Sequence, residues 1–72
     1  MDRIRVLIAD DEQSVLDVLT ALMDAESDLE IAASARDAET AIQLAMREQP
    51  DVAILDVRMP GGGGPRAARE IL

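Results

Sequence analysis

The chain has 72 residues, 49% hydrophobic and 31% charged, which suits one small domain or part of one and is too apolar for a disordered tail. It contains no Cys and no His, so a disulfide framework, a thiolate zinc site, a His base and a Cys nucleophile are all excluded. A net charge of −8, with Arg as the sole basic residue type, disfavours nucleic acid and anionic membranes as direct partners.

Without Phe, Trp or Tyr, the core has to be built from Ala, Val, Leu and Ile. Arg3 to Ala9 reads as a first strand, near-continuously apolar in its second half, as suits a central strand buried on both faces. Asp10-Asp11-Glu12 closes it. Val15, Leu16, Leu19, Leu22 and Met23 then recur at helical spacing, with Asp17, Thr20 and Asp24 between them, and predict an amphipathic helix over Gln13 to Ala25. Ser27-Asp28 breaks that pattern, and Leu29 to Ala33 is short and partly alternating, as an edge strand with one wetter face would be. Asp37 can cap a second helix running to Glu48, with Ala38, Ala41, Ile42 and Ala45 inward, before Pro50 discourages helix at Gln49. Strand three is Asp51 to Leu55, closed by Asp56. Pro65 suits the first position of a third helix, Pro65 to Leu72, where its fixed φ is already helical and its missing N–H has no partner to lose.

Alternating strands and helices argue for an α/β fold built of βαβ units around a parallel sheet. The end at Ile71-Leu72, two apolar residues with no C-capping Gly, reads as a truncation. No secretory leader pattern is visible and no apolar stretch approaches bilayer length, so a cytoplasmic location without membrane contact is expected.

In a parallel sheet the acids after strands one and three emerge at the same edge, the one where open α/β folds bind ligands. If strands one and three are neighbours, Asp10, Asp11 and Asp56 converge, and like charges so gathered favour a cation among them. Magnesium fits an open, oxygen-only donor set. Taken separately, the first cluster could equally be helix N-terminal chemistry and Asp56 a turn acid. Gly61 to Gly64 could offer N–H groups to an anion, but the chain has no Lys and no Gly-Lys-Ser/Thr, so a Walker loop is ruled out in favour of a flexible βα connection. Met59-Pro60 reads as a turn ending the strand, and Arg58, Arg66 and Arg69 as solvated surface, although Arg58 could overhang the acids.

Asp10-Asp11-Glu12, the strand end Ile54-Leu55-Asp56, and Met59-Pro60 with the following Gly strongly resemble the receiver domain of bacterial response regulators. The resemblance covers the whole chain but only the first part of that domain. It implies a flavodoxin-like doubly wound parallel sheet, truncated after strand three and part of helix three, with strand order 2-1-3; residues 1–72 would then be a partial receiver domain lacking strands four and five and any output domain. By the same resemblance Asp56 is the phosphoacceptor, served by a sensor histidine kinase. Asp11 binds Mg²⁺ directly, Asp10 acts mostly through water, Asp56 is a further ligand and the Arg58 backbone carbonyl completes the protein's share. Arg58 also matches a position that tunes dephosphorylation. The family relies in addition on a Ser/Thr after strand four and on an aromatic and a Lys on strand five, so full switching is not expected of this segment. General similarity around the two motifs implies a DNA-binding helix-turn-helix output domain in the parent protein.

Two other readings remain open at this level. A haloacid dehalogenase-type phosphatase also uses a strand-terminal Asp and Mg²⁺, but needs Asp-x-Asp, where this chain has Asp10-Asp11-Glu12 and Asp56-Val57-Arg58. A half-domain assembly module is the other. The segment is expected to be no enzyme in itself. With strand three at an exposed edge, it is expected to form a homo-oligomer, a dimer through that edge or by exchange of elements.

Overall fold

A strand that is apolar on both faces has to be covered on both faces, and β1 (Ile4–Ala9) is so placed in the computed structural model, which describes residues 2–71. It is followed by α1 (Gln13–Asp24), β2 (Leu29–Ala35), α2 (Ala38–Glu48), β3 (Val52–Leu55) and α3 (Gly63–Ile71). The three strands form one parallel sheet in the order β2-β1-β3. Leu72, expected at the end of the third helix, lies outside the described residues.

Alternation along β1 sends its side chains into two different layers. Val6 and Ile8 meet Leu16 of α1, with Leu19 and Met23 packed beside them. Leu7 and Ala9 meet Ala41 and Ala45 of α2 on the other face. Ala38 and Ile42 of α2 in turn pack on Ala67 of α3. Leu7 and Ile8 are the largest fully buried side chains, each contributing roughly 1.5–3 kcal/mol by leaving water. The small residues of α2 let that helix lie close to the sheet, which is how a core without aromatic rings is closed.

Several boundaries differ from the sequence expectation. β2 continues to Ala35, two residues beyond Ala33, because it stays paired with β1 through Ala9 after a register shift that leaves Ala32 unmatched between Val6 and Leu7. The third helix begins at Gly63 and not at Pro65, so the proline is its third residue, still within the first turn where its missing N–H is tolerated. The α2 boundaries match. Asp37 Oδ1 accepts the Thr40 N–H at 2.7 Å, and Gln49 ends the helix in the left-handed conformation at φ 51°. At the opposite end of the sheet the Arg5 N–H donates to Asp51 Oδ2 at 2.9 Å and its Nη2 reaches Glu48 Oε1 at 3.1 Å, tying the α2–β3 connection to β1.

Candidate metal centre

The β1 and β3 ends lie side by side because the strands pair in register from Val6 opposite Val52 to Ala9 opposite Leu55. The next residue of each strand is an aspartate. Asp56 is anchored by its N–H to the Ala9 carbonyl at 2.9 Å, and Asp10 by its N–H to the Ala35 carbonyl at 3.1 Å. Asp10 and Asp56 are half-buried and Asp11 is exposed, and one carboxylate oxygen from each of the three lies within 4.8 Å of the other two. Residues 46 apart in sequence are thereby brought to one point, as the parallel-sheet reading required.

These acids do not serve α1 as caps. The residue before that helix is Glu12, whose side chain makes no capping hydrogen bond, and no acid lies in its first turn. Asp10 Oδ1 instead accepts the Glu12 N–H at 2.9 Å, folding the β1–α1 loop back on itself. One carboxylate oxygen of Asp10 is therefore engaged by its own backbone.

Arg58 is exposed in the loop between β3 and α3. Met59 is not merely a turn residue: it is buried, 8% exposed, among Leu7, Ala9, Ala35 and Ala41, and so roots that loop in the core. Arg66 stays at the surface but is not free in solvent, since its Nη1 donates to the Gly61 carbonyl at 2.9 Å and its Nη2 pairs with Glu39 at 2.7 Å. The Ala38 N–H adds a bond to the Pro60 carbonyl at 2.9 Å, so the loop leaving Asp56 is laced to the start of α2. Gly64 lies so close under the strand end that an added Cβ would stand 2.5 Å from the Asp56 carbonyl oxygen. The glycine run thus serves close packing of α3 over the Asp56 backbone. A further residue at the edge is Arg36, whose Nε and Nη2 donate to the Asp11 carbonyl at 3.3 and 2.9 Å. Its position directly after β2 and before the Asp37 cap was the only sequence signal for it.

The family model described as "Response regulator receiver domain" matches residues 6–72. The chain is 37% identical over 68 residues to the transcriptional regulatory protein DesR of Bacillus subtilis, covering 94% of this chain and 34% of that protein. It is 44% identical over 70 residues to protein-glutamate methylesterase/protein-glutamine glutaminase 3 of Rhodopseudomonas palustris, covering 97% of this chain and 19% of that one. Among solved structures, the response regulator domain of Thermotoga maritima CheB matches with a TM-score of 0.92 at 33% identity, covering 96% of this chain and 52% of that chain. The chain thus spans about a third and a fifth of these two curated relatives, and about half of the matched structure.

Proposed function

Because the chain belongs to the response regulator receiver domain family of two-component signalling, we propose that Asp56 is its phosphoacceptor, taking a phosphoryl group from a phosphohistidine of a sensor histidine kinase. Asp10, Asp11, Asp56 and the Arg58 backbone carbonyl would hold Mg²⁺, which receiver domains bind at an acidic cluster. The observation that carries this reading is the convergence of three carboxylates from two strand ends within 4.8 Å, with no His or Cys in the chain to favour another metal. When bound, Mg²⁺ offsets the repulsion between the Asp56 carboxylate and the incoming phosphoryl group.

The chain's own residues supply the rest. An Asp56 carboxylate oxygen forms the new O–P bond as the P–N bond breaks; the electron pair stays on the imidazole nitrogen, which takes a proton from solvent. The N–H anchor of Asp56 to Ala9 and the close packing of Gly64 hold the nucleophile's backbone in place. Asp10, with Oδ1 engaged by Glu12, suits contact through water, and the exposed Asp11 suits direct ligation. Calorimetric Mg²⁺ titration tests the metal site: weak binding to one site is expected, lost in Asp11→Ala/Asp56→Ala, and equal binding by that double variant would remove the site from consideration.

On this proposal the segment is an acceptor and not itself an enzyme, and it corresponds to the first half of a receiver domain. The Ser/Thr and Lys on which the family relies belong to later strands, so the 72 residues alone should switch poorly. The kinase donor implies a cytoplasmic location; among the described residues no helix is long and apolar enough to cross a membrane. A net charge of −8 does not suit direct nucleic acid binding by this segment, and the similarity to a transcriptional regulatory protein supports a DNA-binding output domain in the parent. A haloacid dehalogenase-type phosphatase and a structural half-domain module have no support in the comparisons, and Arg58 stands where the first needs its second acid.

A further inference from the structure

Arg36 belongs to the loop between β2 and α2, yet it acts on the loop that carries Asp10 and Asp11. Its Nε and Nη2 both donate to the Asp11 carbonyl oxygen, at 3.3 and 2.9 Å. Among the described residues it makes no ion pair, despite the acids around it. Its rigid, planar fork grips one carbonyl instead, and two donors on one oxygen fix the direction of that C=O. The same peptide unit ends in the Glu12 N–H, which donates to Asp10 Oδ1 at 2.9 Å. The Asp11–Glu12 peptide is therefore held at both poles, its oxygen by Arg36 and its N–H by Asp10. Rotation of that peptide would take the Glu12 N–H away from the Asp10 carboxylate and free the backbone on which Asp11 sits. The Asp10 N–H bond to the Ala35 carbonyl, 3.1 Å, fastens the loop to the residue just before Arg36.

We infer that Arg36 is a positioning residue for the metal centre, locking the Asp11–Glu12 peptide so that Asp10 and Asp11 face Asp56 before a cation arrives. The inference rests on the proposed metal reading of those three acids. A groups-only electrostatic view gives the opposite sign, because a guanidinium beside the site repels a divalent cation, so removing it would tighten binding.

Mg²⁺ titrations of the full chain with Arg36→Ala and Arg36→Lys separate the two. Losing an outer partner of a ligating residue weakens metal binding on the order of tenfold. That loss is expected in Arg36→Ala and, to a similar extent, in Arg36→Lys, which keeps the charge but not the fork. Metal-free amide exchange is the second readout: the Glu12 N–H should exchange faster in Arg36→Ala while those of Leu7 and Ile8 stay protected. Mg²⁺ binding as tight as wild type or tighter in Arg36→Ala, or full rescue by Arg36→Lys, would overturn the inference. If the wild-type chain bound no Mg²⁺, the metal reading itself would fall; Glu12 exchange would then decide the peptide lock alone, and an unchanged rate would overturn it.

Discussion

An added Cβ at Gly64 would meet the Asp56 carbonyl oxygen at 2.5 Å and that of Leu55 at 3.4 Å, both backbone atoms and not the yielding end of a side chain. At Gly63 it would clash with the Val57 carbonyl oxygen, at a φ of 67° that L side chains rarely adopt. Gly64→Ala should therefore cost about 1–3 kcal/mol through overpacking and also weaken Mg²⁺ binding, because the strand end carrying Asp56 has to move. A denaturation midpoint and a metal affinity both equal to wild type would contradict this account of the glycine run. The three acids were legible from sequence, since each closes or follows an apolar run whose strand-like character fixes where it emerges. Arg36, Met59 and Arg66 were not. The two arginines act on residues 25 and 27 positions away, and no local pattern encodes such a contact. Met59 is buried because the ends of β1 and β2 and the face of α2 meet around it, a juxtaposition made by the tertiary fold.

Among the elements, α2 shows most clearly how a local signal sets a boundary. Asp37 takes the Thr40 N–H on Oδ1 at 2.7 Å and the Thr40 hydroxyl on Oδ2 at 3.0 Å. The Thr40 backbone bond first, then its hydroxyl, holds the Asp37 carboxyl below its ordinary value of 3.8. Because the folded-state value is the lower one, the charged cap's contribution is fully present above the ordinary value and is lost as pH falls through the depressed one. Asp37→Ala should accordingly lower the melting temperature by a few degrees at neutral pH, and the gap to wild type should narrow in the acid range just below the ordinary value. A gap that is unchanged by acidification would mean that the carboxylate's charge is not what caps the helix. The periodicity of α1 and the continuous apolar run of β1 were equally readable, because each depends on burial that repeats along the element. The start of α3 was misplaced because glycine's lack of a side chain, an advantage only against the Asp56–Val57 backbone, looks from sequence like a flexible loop. The length of β2 was set by pairing with β1, which composition does not report.

At the scale of the whole molecule the two faces of the sheet are unequally covered. α2 and α3 pack over Ala53 and Leu55 of β3, whereas on the other face Val52 and Ile54 are 47% and 41% exposed. Val18 and Leu22 of α1 are exposed as well, at 58% and 62%. Each large apolar side chain left in water forgoes roughly 1.5–3 kcal/mol, against a total of about 5–15 kcal/mol for a typical domain. β3 is also a sheet edge, which invites pairing with another strand. A polypeptide of these 72 residues is therefore predicted to self-associate, as a two-fold dimer through the β3 edge or by exchange of elements. Sedimentation should find that dimer at micromolar concentration, and Ile54→Lys should shift it towards monomer. A cooperatively folded wild-type monomer under those conditions would contradict the prediction.

The central claim, that Asp56 accepts a phosphoryl group beside a Mg²⁺ site built with Asp10 and Asp11, is tested most directly by intact-mass measurement and peptide mapping. The full-length protein carrying this segment would be incubated with acetyl phosphate and Mg²⁺. A single phosphoryl adduct is predicted, mapped to Asp56, absent when the metal is chelated and absent in Asp56→Asn, whose amide is a far poorer nucleophile. An adduct of equal yield in Asp56→Asn, or one mapped to another residue of the wild type, would contradict the assignment.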